Sequence, residues 1–127
     1  MNHPSQRRQR GMTLIEVLVA ILIFSFGLLG FVGLQARAIQ FSMSAEDSSR
    51  AALLANELAT TMISQQTLTP NLTAWQAHVA DPTTGGLPSG AGTSVVTGNT
   101  ALITITWTPT SAASGAASNK YVTEVIL

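Results

Sequence analysis

Between Met12 and Leu34 the chain carries a single charge, Glu16, and this apolar run constrains its fold more than any other feature. A helix rising 1.5 Å per residue covers roughly 35 Å over those positions, enough to cross a hydrocarbon core of about 30 Å. Arg7, Arg8 and Arg10 precede the run. Basic residues stay on the cytoplasmic side, so Met1 to Arg10 is expected inside the cell and everything after Leu34 outside the cytoplasm. A cleaved secretory signal has a shorter apolar core, about 7 to 15 residues, followed by small residues at the cut. Ala36-Arg37-Ala38 imitates that cut, but the run before it is too long and opens with a carboxylate. A plain membrane anchor is the other simple reading.

Glu16 has a local explanation and a costlier one. Thr13-Leu14-Ile15-Glu16 fits a capping box, in which a threonine hydroxyl and a glutamate carboxylate satisfy free amides of the first turn. Negative charge there also complements the helix dipole. Neither effect requires a carboxylate inside a segment that enters lipid, where an ionisable group is expensive and usually has a partner.

The run Arg7-Arg8-Gln9-Arg10-Gly11-Met12-Thr13-Leu14-Ile15-Glu16 resembles the N-terminal signal of type IV pilins. The resemblance implies that a prepilin peptidase cuts between Gly11 and Met12 and N-methylates Met12. It also implies that Glu16 is an assembly contact, pairing with the α-amine of Met12 on a neighbouring subunit. Most relatives have phenylalanine where this chain has Met12, a tolerated departure. The pilin reading divides the chain into a cytoplasmic leader (1–11), a transmembrane and filament-core helix (12–34), an amphipathic continuation (35–66) and a small globular region (67–127).

Composition fits an exported protein that depends on partners. The chain has 127 residues, room for one ordinary domain beyond the apolar helix. With no cysteine, disulfides and thiolate metal sites are excluded. Once the leader is removed, three basic residues remain against six acidic ones, a net charge of about −3. That sign gives no electrostatic footprint for nucleic acid.

Past Leu34 the helical pattern continues. Ala51, Leu54, Ala55, Leu58 and Met62 form an apolar stripe, while Glu46, Arg50 and Glu57 fall on another face with Glu46 and Arg50 four apart. No proline occurs before Pro70 on this stretch and no glycine lies between Gly33 and Gly85, so one helix is expected from about Thr13 to about Gln66, roughly 80 Å long. Gly27, Gly30 and Gly33 recur at intervals of three. Small residues allow close helix packing, and each glycine weakens a helix by about 1 kcal/mol relative to alanine. Ordinary tolerance of glycine in a membrane helix is one explanation; the other, preferred here, is that they mark a segment expected to bend or unwind when the subunit leaves lipid for a filament.

Thr69-Pro70-Asn71 is expected to end the long helix, and Leu72, Trp75 and Val79 recur at the spacing of a short second one. Pro82 to Gly92 has loop composition. Strands follow at Thr93 to Thr97 and Thr100 to Thr108, joined by the tight turn Gly98-Asn99. Ile103, Ile105 and Trp107 alternate with Thr104, Thr106 and Thr108, one face inward and one wet. After a flexible loop from Pro109 to Asn119, Lys120 to Leu127 forms a third strand with Tyr121, Val125 and Leu127 on the core side. The expected fold is α+β and pilin-like: a long N-terminal helix on a small three-stranded antiparallel sheet.

Catalysis has no visible equipment. His78 is the lone histidine outside the leader, Trp75 and Trp107 read as core, and the carboxylates are spread along helices and a strand. No enzyme activity, cofactor or metal is expected. Gly27-Leu28-Leu29-Gly30-Phe31-Val32-Gly33-Leu34-Gln35, Asn56-Glu57-Leu58, Trp75, Gly86-Leu87-Pro88, Thr97-Gly98-Asn99-Thr100 and Ile105-Thr106-Trp107 resemble the PilV minor pilins. That resemblance implies a priming or tip complex with other minor pilins and the major pilin, processing by prepilin peptidase, residence in the inner membrane with a periplasmic C-terminal domain, and later a place in the pilus. A type II secretion pseudopilin of the tip complex is the nearest alternative. A tip adhesin or ligand-binding module is the alternative from another class.

Overall fold

The computed structural model describes residue 11, residues 13–112 and residues 115–127. Residues 1–10 of the leader, Met12 and positions 113 and 114 of the loop after Pro109 lie outside the described residues. The chain has two compact units, Met1–Ile39 and Gln40–Leu127.

The first unit contains the N-terminal part of helix α1 (Leu14–Gln65). Every described residue in it is exposed. This is a helix long and apolar enough to cross a membrane. Its hydroxyl at Ser25 donates to the Ile21 carbonyl at 2.8 Å, returning a polar group to the helix's own backbone.

The second unit combines the rest of α1 with helix α2 (Thr73–Ala80) and strands β1 (Ala91–Thr97), β2 (Thr100–Trp107) and β3 (Asn119–Ile126). The strands form an antiparallel meander in the order β1-β2-β3. The predicted stripe is the helix's contribution to the core: Ala51, Leu54, Ala55, Leu58 and Met62 are all buried. Ala101, Ile103, Ile105 and Trp107 of β2 and Val125 of β3 meet it, with Trp75, Val79 and Leu87 closing the end. A three-stranded sheet needs such a second layer to be stable.

Helix α1 ends at Gln65, within a residue of the expected bound, although the stop is not made by Pro70. Gln66 takes a left-handed conformation, φ 51°. Its amide donates to Ile63 O at 3.2 Å and that of Thr67 donates to Met62 O at 3.0 Å. This is a Schellman motif, which satisfies carbonyls that the helix end leaves free. Thr69-Pro70-Asn71 therefore follows a stop already made; Asn71 instead starts α2, its Oδ1 accepting from Thr73 N at 3.0 Å.

Trp75 sets the spacing between layers. Its Nε1 donates to the Leu54 carbonyl at 2.8 Å, fixing the indole against α1. The ring then lies over Gly92, where an added Cβ would come within 2.4 Å of it. Gln76 Nε2 also donates to Gly92 O at 3.0 Å. Ala91 and Gly92, expected in the loop, thus belong to β1, because the glycine admits the indole and does not break the strand. Within that loop Pro82–Thr84 forms one turn of 3-10 helix.

The Gly98-Asn99 turn joins β1 to β2 as expected, with Thr97 opposite Thr100 and Gly98 at φ 62°. Two strand details differ. Leu127 lies past β3 and is exposed; its amide donates to Asn99 O at 3.1 Å, and Asn99 Nδ2 donates to the Leu127 carbonyl, so backbone ties hold it at the sheet's end. The outer sheet face is also less polar than the threonine repeat implies, since it exposes Val95, Leu102, Val122 and Ile126.

Two substitutions test these local controls. Gly92→Ala should destabilise the fold by about 1–3 kcal/mol, the usual cost of overpacking, because the indole is held by Leu54 and cannot retreat. Gln66→Gly should stabilise it by about 1 kcal/mol by relieving a left-handed non-glycine residue. Thermal unfolding of the full chain in detergent measures both.

Candidate functional site

The N-terminal residues singled out in the sequence fall at the head of α1. Gly11 and Thr13 are exposed ahead of the helix, and Glu16 lies exposed in its first turn. The capping box is not formed as expected. The amide of Glu16 donates to the Thr13 carbonyl at 3.0 Å, as does that of Val17 at 3.2 Å, so main chain takes the place of the threonine hydroxyl. Among the described residues Glu16 makes no ion pair. Met12 lies outside the described residues, so its relation to Glu16 has no geometry here.

Gly27, Gly30 and Gly33 all lie within α1, which is continuous through them. A Cβ built on any of the three meets nothing within 4 Å. The chain itself does not require glycine at these positions. Their small size leaves room for another helix, and their weak helix propensity lowers the cost of bending.

In the second unit a shallow groove of about 270 Å³ lies among Arg50, Leu53, Leu54, Glu57, His78, Thr84 and Gly85. The predicted Glu46–Arg50 pair is present on its margin, Arg50 Nη2 donating to Glu46 Oε1 at 2.6 Å. Asp47 beside them has its carboxyl pushed up from the ordinary value by partial burial, with Glu46 adding to the effect and Arg50 opposing it. Asp81 is held below its ordinary value by the hydroxyl and amide of Thr83, which donate to Oδ1 at 2.6 and 2.9 Å.

His78, which the sequence leaves without a role, links three segments of this unit. Its Nδ1 is 3.1 Å from Glu57 Oε2 on α1, and its Nε2 is 2.9 Å from the Thr84 carbonyl. No local pattern signals this contact, because Glu57 and His78 lie on separate helices. Among the described residues no cluster of three or more His, Cys, Asp or Glu side chains is placed to hold a metal.

The comparisons with known proteins bear on the N-terminal segment. No curated protein and no solved structure matches the chain. One family model does match: the prokaryotic N-terminal methylation motif, over residues 6–32. That span includes Arg7 to Gly11, Met12, Glu16 and two of the three helix glycines. The chain therefore carries at its N-terminus the motif of prepilins that prepilin peptidase processes, joined to an α+β unit of pilin-like arrangement.

Proposed function

We propose that this chain is a minor pilin of the PilV kind, acting in type IV pilus biogenesis as a structural subunit without catalytic activity. The observation that carries this reading is the methylation motif over residues 6–32, which leads into a helix whose apolar side chains find no cover within their own unit. A surface of that size needs lipid or other helices around it. In this reading the precursor spans the inner membrane with its leader in the cytoplasm and its C-terminal domain in the periplasm. Prepilin peptidase cuts between Gly11 and Met12 and methylates Met12. The subunit then joins other minor pilins and the major pilin in a priming or tip complex. Glu16 supplies the negative charge that meets a neighbouring subunit's α-amine, and Gly27, Gly30 and Gly33 let the helix bend as it leaves lipid.

Met12 favours a second reading, because methionine after the cleavage glycine is common among type II secretion pseudopilins. Deleting the gene separates the two: loss of surface pili supports the pilin, and intact pili with lost protein export support the pseudopilin. Intact pili with lost adhesion would instead support a binding role at the tip.

The N-terminal assignments give two further expectations. Glu16→Gln should be processed normally yet enter filaments about tenfold less, equivalent to roughly 1.4 kcal/mol of assembly energy. Gly11→Val should keep its leader, and immunoblots of membrane and sheared filament fractions read both outcomes; normal incorporation of Glu16→Gln removes its proposed role. Gly27→Ala, Gly30→Ala and Gly33→Ala combined has room for every added methyl and stiffens the helix by about 1 kcal/mol per position. It should reduce assembly without reducing membrane insertion, and unchanged assembly rules out the bending role.

A further inference from the structure

We infer that His78 is a proton-operated clasp, whose charged form ties the Asp81–Gly86 loop to helix α1 and whose neutral form releases one of its two ties. The argument is one of donors and acceptors. Glu57 Oε2 and the Thr84 carbonyl lie 3.1 and 2.9 Å from the two ring nitrogens. An ionised carboxylate and a carbonyl can only accept hydrogen bonds. Both contacts are therefore hydrogen bonds only when both ring nitrogens carry protons, as in the imidazolium ion. A neutral ring, in either tautomer, turns one lone pair toward an oxygen, and that contact becomes repulsive.

The surroundings make the loop the part that responds. Glu57 lies on a helix whose inner face is fixed in the core by Leu54, Ala55 and Leu58. Thr84 ends a single 3-10 turn, followed by Gly85 at φ 100°. The Gly86 amide donates to Asp81 O at 2.9 Å and that of Leu87 to Val79 O at 2.9 Å, which closes the loop on α2. Three other charged groups surround the clasp. Arg50 lines the same groove from α1, with Glu46 beside it, and Asp81 stands at the end of α2, its amide donating to the His78 carbonyl at 3.2 Å. The groove lining includes no residue of the sheet. Protonation therefore changes one wall of the groove, formed by His78, Thr84 and Gly85, opposite the Arg50, Leu53, Leu54 and Glu57 wall carried by helix α1.

Nuclear magnetic resonance of the full chain in detergent micelles between pH 5 and 8.5 tests the clasp, with His3→Gln introduced so that His78 is the one titrating imidazole. Both ring nitrogens should be protonated at the acid end, and the amides of Thr84, Gly85 and Gly86 should shift with the same midpoint as the ring. His78→Phe should leave those amides in their high-pH positions throughout. Glu57→Gln discriminates further: its amide can rotate to donate to an unprotonated Nδ1 while Nε2–H still donates to Thr84 O. That variant should keep the loop in its low-pH positions across the range. Loop amides that stay fixed while the ring titrates overturn the proposal, as does a Glu57→Gln loop that follows pH like the parent. The same holds if a ring nitrogen is found unprotonated at the acid end.

Discussion

The fold of the second unit depends on one buried stripe. Three strands cannot enclose a core, and the inner face of β2, with Ala101, Ile103, Ile105 and Trp107, is buried because α1 lays Ala51, Leu54, Ala55, Leu58 and Met62 against the sheet. Full burial of each large aliphatic residue contributes about 1.5–3 kcal/mol. Ala51 and Ala55 complete the buried face between these larger side chains. Trp75 then determines where α2 and β1 lie, because its hydrogen bond to Leu54 and its contact with Gly92 act through a single rigid ring.

The same helix therefore faces two chemical environments. From Ala51 onward a stripe of its apolar residues is sorted to one face and covered by its own domain, while Leu53 and Ile63 stay exposed. From Leu14 to Leu34 they occur on all sides and remain exposed. A helix that is apolar all round belongs in lipid or among other helices. The second unit covers its own core, whereas the apolar surface of the N-terminal segment has no cover within the chain among the described residues.

Much of this was legible in the sequence because it rests on periodicity. The stripe from Ala51 to Met62 follows 3.6-residue spacing, and Ile103, Ile105 and Trp107 follow period two; both periods survive folding since each face meets a single environment. The tight turn at Gly98-Asn99 is legible for the same reason, being a local matter of backbone freedom. What escaped depends on contacts distant in sequence. Gln66 ends α1 with a side chain that carries no stop signal, and Gly92 reads as a loop residue until Trp75 is placed above it. His78 looks idle until α1 and the Thr84 turn converge on it. At the N-terminal site Gly11 and Glu16 are read directly from spacing, but the absence of a side-chain cap at Thr13 is not.

That last detail bears on how Glu16 is understood. A carboxylate in the first turn of a helix is ordinarily explained by capping, which needs no partner outside the chain. Here the Thr13 carbonyl receives the amides of Glu16 and Val17, and the first turn is closed by main chain alone. The dipole contributes about 0.3–1 kcal/mol for an exposed charge, against a penalty of about 2.5–3.5 kcal/mol for a charged group at the centre of a membrane helix. Near the helix end the penalty is smaller, but among the described residues no side chain or amide bonds the Glu16 carboxylate to offset it. The local turn therefore does not account for that cost, which is why the proposed reading gives Glu16 a cationic partner on a neighbouring subunit.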